Sequence, residues 1–372
     1  MLRLFFKTLN VLALLVLLLS CMAAYIKPTQ YWQLSFIGFA FPIVLIVNVF
    51  FLLLWILKRD AFGLISLVAI VLTWNFIQES FALNFNTEYK EQGIKLMTWN
   101  VKNFDLYNWS HNKKTHAEMM QLIKAENPDI ICFQEFYSDN GILFNNIKYL
   151  SDTLGYSSYY FQPTTRIVKP YKRKPWKSKR LTDTIDQQWG VAIVSKYKFT
   201  DTGRIDFSNS KNNDCIYVDI ELNKKPLRLY SVHFQSIHLG DNDYATLDSI
   251  QGNQKANWLS VKSILRKMKR AFTKRSEQAA AVAEHMSSFS GRKILCGDFN
   301  DVPVSYTYNT VNDNLTDAFV KKGKGFGATF ANKFSVFRID YALFSEDIQI
   351  NSYRTIRKEL SDHYPIIVTF NP

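Results

Sequence analysis

Apolar residues are unevenly spread along this chain. Three apolar stretches, from about Leu4 to Tyr25, Leu34 to Leu57 and Ala61 to Ile77, fill most of the first 83 residues. Each approaches the roughly 20 residues a helix needs to cross a hydrocarbon core. Trp32, Trp55 and Trp74 fall near stretch ends, where interfacial anchors sit. The pattern therefore predicts about three transmembrane helices in 1–83, a polar linker over 84–93, and a second region over 94–372 of mixed composition.

In that second region the periodicity changes. Ile94 to Asn100 alternates as a strand, His116 to Glu126 places Met119, Met120, Leu122 and Ile123 at helical spacing, and Asp129 to Gln134 is a compact apolar strand. Further strands are predicted over Gly190–Ser195, Cys215–Leu222, Leu227–Phe234, Lys293–Gly297, Arg338–Phe344 and Tyr364–Phe370, with a helix from about Ser276 to Phe289. Strands outnumber helices and several neighbours suit hairpins, which predicts an α/β domain with two packed sheets. Two segments interrupt this order. Residues 166–180 are a basic run interleaved with Tyr171 and Trp176. Within a long insertion over 238–275, Lys262, Arg266, Lys267, Lys269 and Arg270 face Val261, Ile264, Leu265 and Met268 as a basic amphipathic helix.

Charge adds an orientation and a partner class. The net charge is +13, of which residues 1–83 contribute +3. Arg3, Lys7, Lys58 and Arg59 mark the cytoplasmic side by the positive-inside rule, so three crossings place the second region outside the cytoplasm. The remaining excess suits polyanions, whether nucleic acid, anionic lipid or phosphorylated substrates. Four cysteines in a chain this long make no disulfide framework and read as free apolar side chains. A lipoprotein-like reading of Leu18-Leu19-Ser20-Cys21 competes with a plain helix cysteine, although two more apolar spans follow it.

Polar residues gather at strand ends: Asn100, Glu135, His233, Asp298 with Asn300, Asp340, and Asp362-His363. Singly, a strand-end Asp or Asn makes a turn. Together, Thr98-Trp99-Asn100-Val101, Pro128 to Glu135, Gly190 to Ser195, Ser231-Val232-His233, Gly297-Asp298-Phe299-Asn300-Asp301, Arg338-Ile339-Asp340-Tyr341 and Ser361-Asp362-His363 stand in one order over about 94–370. That series resembles the endonuclease/exonuclease/phosphatase superfamily of DNase-I-like metal-dependent phosphoesterases. The resemblance implies a four-layer α/β/β/α sandwich of two mostly antiparallel sheets flanked by helices. It implies a phosphoric ester hydrolase using Mg²⁺, with Mn²⁺ as a substitute.

It also implies roles. Glu135 matches the metal-binding glutamate, and Asn100 and Asp362 complete or border that metal site. Asp298 orients or deprotonates the attacking water, Asn300 helps to hold phosphate or nucleophile, and His363, partnered by Asp340, contacts the scissile phosphate. His233 is the candidate acid for the leaving group. One departure is Lys102, where many members carry Asp or Asn, which weakens a two-metal site.

The substrate stays open at this level. The run 166–180 favours nucleic acid. The anchoring and the amphipathic segment favour a sphingomyelinase-like action on phospholipid headgroups at the bilayer. A binding module without turnover is the third reading, and no protein partner is predicted.

Overall fold

Ile94, Leu96 and Thr98 point one way along their strand and Met97 and Trp99 the other. Leu96 joins one apolar cluster, Met97 and Trp99 another, and all three are buried. The same split separates Ile130 and Cys132 from Ile131 and Phe133. Strands apolar on both faces belong in the middle of a layered domain, and the computed structural model places them there. It describes residues 1–84, 92–170, 184–207, 210, 213–251, 257–331 and 337–372. Most of the predicted linker 84–93 and most of the basic run 166–180 lie outside the described residues.

The chain divides into two compact units. One comprises Phe81–Phe234, Ala281–Phe299 and Asn312–Pro372. Its first sheet runs β13 (Gln349–Thr355), β14 (Ile366–Asn371), β2 (Ile94–Asn100), β3 (Ile130–Asp139), β5 (Thr184–Ser195) and β4 (Ser158–Pro170). The second runs β10 (Leu315–Asp317), β12 (Asp340–Ser345), β9 (Arg292–Asp298), β8 (Lys225–His233), β7 (Asp214–Leu222) and β6 (Phe199–Ile205). Pairs β2–β3 and β8–β9 are parallel and the other named pairs antiparallel. A short ladder joins β1 (Ala82–Leu83) to β11 (Lys324–Gly325).

One core lies between the sheets, where Leu96, Ile130 and Ile193 meet Ile216, Leu229 and Ile294. Gln134 ties them further, its amide donating to Ser231 Oγ across the layers at 3.0 Å. Outside the first sheet, Met119 and Ile123 of α6 (Thr115–Glu126) pack on Trp99 and Phe133. Outside the second, His285 stacks against Tyr217 and Tyr230. The four layers expected from the sequence are in place, with α7 (Asn146–Lys148) and α11 (Ala318–Lys322) as short additions.

The other unit comprises Met1–Ser80, Gln235–Ala280 and Asn300–Val311. Its first helices are α1 (Leu2–Met22), α2 (Pro28–Phe39), α3 (Phe41–Leu57), α4 (Gly63–Leu72) and α5 (Trp74–Ser80). Among the described residues, α1 alone is a single helix long and apolar enough, by length and composition, to cross a membrane. Pairs α2–α3 and α4–α5 are bent by 54° and 65°, and counting each pair as one span gives up to three. Leu17, Cys21, Phe41 and Ala69 enclose Val304, which stands just before α10 (Tyr306–Val311). The insertion holds α8 (Asp241–Gln251), and the two helices predicted over 261–275 and 276–289 form one, α9 (Trp258–Ser287). All four cysteines are free and buried, as free apolar side chains should be.

Candidate active site

The two parallel pairs explain why distant motifs meet. Asn100 lies opposite Gln134 in register and His233 opposite Asp298, so β2, β8 and β9 end at the edge of the domain where β3 passes, with Glu135 inside β3 rather than at the strand end the sequence suggested. Antiparallel β12 starts there, with Asp340 opposite Asp298. Asp362 and His363 stand shortly before β14, which begins at Ile366, and Trp99 Nε1 donates to the His363 carbonyl at 2.9 Å to hold that approach. Ser361 Oγ donates to the Asn100 carbonyl at 2.8 Å.

Asp298 is the hub. Asn100 Nδ2 donates to Asp298 Oδ2 at 3.0 Å and lies 3.2 Å from Glu135 Oε1. His233 Nε2 and His363 Nε2 each lie 3.7 Å from Asp298 Oδ2. His233 Nε2 is also 3.8 Å from Glu135 Oε1. On its other side His363 Nδ1 meets Asp340 Oδ2 at 2.9 Å. Thr329 Oγ1 accepts the backbone N–H groups of both Ile339 and Asp340 at 3.0 Å, which fixes that carboxylate from behind. Of the predicted residues, Asn100, Glu135, His233, Asp298, Asp340 and His363 form one connected group. Asp362 joins through its ion pair with Lys102, whose backbone N–H donates to Asn100 Oδ1 at 3.1 Å. Asn300 has a left-handed backbone (φ 53°) two residues beyond Asp298 and opens the segment that clusters with the N-terminal helices.

Two residues reach the site through unusual backbone. Glu135 sits at φ 49° where the β3–β5 register shifts between Phe133 and Phe136. A bulge of this kind re-aims one side chain out of the alternation, and it turns the glutamate toward Asn100. Lys102 through Asp105 form a left-handed turn, with φ between 42° and 55°. Such backbone costs about 1–2 kcal/mol per residue. The anchor is Phe104, fully buried and edge-on to Phe133 and Phe136. The turn presents Lys102 Nζ at 2.8 Å from Asp362 Oδ2 and 5.1 Å from the Trp109 ring.

The charges are arranged against ordinary titration. Burial pushes the Asp298 carboxyl up to about 6, against the pull of His363. Burial lowers the affinity of His363 for its proton, but Asp340, Asp298 and Asp362 outweigh it, and its pKa lies well above the usual histidine value. Burial and the Asp362 charge raise Glu135, although 34% of its side chain faces solvent, which tempers the burial effect. Asp362 is opposed by burial yet ends lowered, because His363 and Lys102 are close. Ligand-type atoms of Asp298, Asp340 and His363 lie within 4.8 Å of one another, a group able to hold a cation.

Sequence reasoning passed over several supports. Trp99 and Ser361 lie inside the motifs, yet their bonds, like those of Thr329, need tertiary partners. Arg338 pairs with Asp317 in the core at 2.7 Å beside Asp340. Asp214, opposite His233 in the ladder, is held by Arg204 and pushed up to about 6 by burial. In the described part of the basic run, Arg166 is bound by both oxygens of Asp186 at 2.9 and 2.8 Å.

Two facing mixed sheets with an amide, carboxylates and imidazoles gathered at one edge define a phosphoesterase-type hydrolase. The chain belongs to the endonuclease/exonuclease/phosphatase family, whose sequence profile matches residues 97–363. A second profile, a domain of unknown function, matches residues 3–80. No curated protein matches the sequence. Among solved structures, an endonuclease/exonuclease/phosphatase family protein of Bacteroides thetaiotaomicron is similar at 16% identity and TM-score 0.50, over 76% of this chain and 96% of that one. A mannosyl-6-phosphatase of the same species is similar at 17% and 0.49, over 74% and 99%. TDP2 of D. rerio, solved with a single-strand DNA product, is similar at 14% and 0.48, over 76% and 100%. At these identities the likeness concerns the fold alone.

Proposed function

We propose that this chain is a membrane-anchored, Mg²⁺-dependent phosphoesterase that hydrolyses phosphodiester bonds in a nuclease-like way, with 1–83 as anchor and 94–372 as catalytic domain. The observation that carries the reading is Asp298: a buried carboxylate bonded to Asn100 and 3.7 Å from two imidazole nitrogens. Phosphodiester hydrolysis needs an aimed water, neutralised phosphoryl oxygens and a proton for the leaving oxygen. Asp298, with a pKa near 6, is the group to orient and deprotonate the water, with Asn300 assisting. The Asp340 bond holds the proton on His363 Nδ1, so its Nε2–H is a charged donor for a phosphoryl oxygen. His233 supplies the proton to the leaving oxygen. Acid–base groups of this kind contribute about 10²–10⁴-fold each.

The donor set Asn100, Glu135 and Asp362 fits a hard divalent ion such as Mg²⁺, or Mn²⁺ in its place. All three offer oxygen, and Glu135 and Asp362 are each 34% exposed, leaving room for water ligands. The like-charge conflict that raises Glu135 is one a divalent cation relieves. Once bound, such an ion supplies Lewis-acid polarisation of the phosphoryl group. In the trio Asp298, Asp340 and His363 the imidazole is bonded to Asp340 and lies 3.7 Å from Asp298, with its pKa raised, which suits proton transfer better than coordination. Lys102 places its ammonium on Asp362, and that added positive charge favours a single ion over two.

Anchoring rests on an inside-out pattern in the helical unit. Leu4, Phe5, Ile43, Ile46, Leu67 and Val71 are exposed on helix exteriors, while Asn10, Ser66 and Trp55 are buried and bonded together. Polar groups between helices with apolar side chains outside suit lipid as the solvent. Arg3 and Lys7 both pair with Asp60, gathering the positive charges of the N-terminus and the α3–α4 turn at one end. Three crossings then leave the catalytic domain outside the cytoplasm. A sphingomyelinase-like phosphodiesterase or a phosphatase is the second reading, favoured by the pairing of Arg166, which removes one cation from the nucleic-acid run.

The test is hydrolysis by the full chain in nanodiscs, with and without Mg²⁺, on plasmid DNA, RNA, bis-p-nitrophenyl phosphate and sphingomyelin. Mg²⁺-dependent turnover absent from Glu135→Gln and His363→Ala supports the chemistry, and the preferred substrate assigns the class. Turnover indifferent to chelation removes the metal. A folded chain inert on every substrate points to a binding module.

A further inference from the structure

Residues 258–275 carry no Asp or Glu. The sequence reads 261–275 as a basic amphipathic helix that lies on anionic lipid through its apolar face, and the structure corrects the choice of face. The apolar face is already covered within its own unit. Ile264, Ala271 and Phe272 are buried, and Phe272 meets Phe36 of α2 edge-on at 5.2 Å. On the same side Arg275 is buried against Asp301 at 3.0 Å and the Gln235 carbonyl at 2.9 Å.

The opposite face is a stripe at i, i+4 spacing. Trp258, Lys262, Arg266 and Arg270 follow one another along α9, and all are exposed. Leu259 flanks it; Trp258 is 68% and Leu259 72% exposed. Lys267, off the stripe, is neutralised by Asp243. Among the described residues Lys262, Arg266 and Arg270 have no acidic partner. The stripe spans about 18 Å at the helical rise. Large apolar side chains beside unpaired cations are the composition of helices that rest in a headgroup layer.

We propose that this outer face of α9 binds anionic lipid, lying along the headgroups of the bilayer that holds the N-terminal helices. The proposal rests on the anchoring reading above. Two observations select a membrane over nucleic acid. The helix packs on α2, whose Trp32 ring lies 5.4 Å from Lys269 Nζ, and α2 is joined at a 54° bend to the apolar α3. And the stripe begins with Trp258 and Leu259, of which the leucine has no base to stack on but does have acyl chain to enter. Each cation held near an anionic surface strengthens attachment about fivefold, so removing all three should be readily measured.

The full chain carrying Trp258→Cys tests this. Its four native cysteines are buried, so an environment-sensitive fluorophore reports position 258. The chain is reconstituted in vesicles of phosphatidylcholine alone or with phosphatidylglycerol added, each containing lipids brominated near the headgroup. The expected result is quenching several-fold stronger with phosphatidylglycerol, falling to the phosphatidylcholine level when Lys262→Gln, Arg266→Gln and Arg270→Gln are combined. Unchanged helical content by circular dichroism checks that the triple variant folds. A chain that does not float with vesicles overturns the anchoring and this surface with it. A chain that floats while its probe ignores phosphatidylglycerol overturns the surface alone. A probe that responds to added oligonucleotide and not to anionic lipid assigns the stripe to nucleic acid instead.

Discussion

Two clusters of buried polar residues, one in each unit, have opposite designs. In the helical unit Asn10 donates to Ser66 Oγ at 2.8 Å and accepts from Trp55 Nε1 at 2.9 Å. These groups are neutral, come one from each of three helices, and satisfy one another. In the catalytic unit Asn100 instead bridges two carboxylates, Asp298 lies within 4 Å of two imidazoles, and Glu135 is held on left-handed backbone. Both clusters bury an asparagine, but only the second gathers titratable groups whose preferred charge states conflict. A polar cluster built for adhesion resolves its charges; one built for chemistry keeps them in tension.

The comparison breaks most sharply at the imidazole. His363→Ala is expected to lower kcat/KM for a phosphodiester by about 10²–10⁴-fold with the fold retained; near-wild-type turnover would put the chemistry elsewhere. Asp298→Asn should lose activity to a similar degree yet gain stability. The sign follows from the raised pKa. The folded state binds this proton more tightly than the unfolded chain, whose carboxyl has the ordinary value of 3.8. The contribution of that proton to stability is complete below about pH 4 and lost as pH rises through about 6. The neutral variant is spared that loss, so its melting temperature should exceed wild type at pH 8 and not at pH 4. Equal melting curves at pH 8 would mean that Asp298 is not in tension.

Next in size is Phe104→Ala, which removes the anchor of the left-handed turn. A loss of about 3–5 kcal/mol is expected from denaturant unfolding; a loss under 1 kcal/mol would show that the turn holds itself. Asn10→Leu probes the adhesive cluster and should cost about 0.6–1.7 kcal/mol, leaving hydrolysis by the catalytic unit unchanged. The smallest effect is expected at Lys102→Met. Freeing Asp362 from its ammonium should tighten Mn²⁺ binding by up to about fivefold, as for an exposed ion pair. Electron paramagnetic resonance titration measures this, and weaker binding would make Lys102 a support of the site rather than a competitor.

Much of the site was legible because its residues end strands whose apolar runs are distinct. Asp129 to Gln134 and Leu295-Cys296 are too apolar to be anything but central, so the polar residue after each stands out. The edges were not legible. Phe199–Ile205 is largely exposed, Gln349–Thr355 is mostly polar, and Ser158–Pro170 carries Pro163 at a register shift. Edge strands lack the two-faced burial that writes a pattern into sequence, and proline is tolerated there. The role of α9 was half legible. Its amphipathic spacing was plain, but the identity of what covers its apolar face was not.

The sequence by itself determined the split between apolar and mixed regions, the order of the motifs and the residue types available for phosphoester chemistry. These are set by composition and local periodicity, which a chain carries without folding. Only the tertiary structure decided the pairings. Asn100 meets Glu135 across 35 residues and Asp298 across 198, and Trp99 meets His363 across 264. It also decided the left-handed backbone of Glu135, the ammonium of Lys102 on Asp362, and the burial of Phe272 against Phe36. Such contacts form only when distant strands close into register, and local pattern says which residues are buried but not against what.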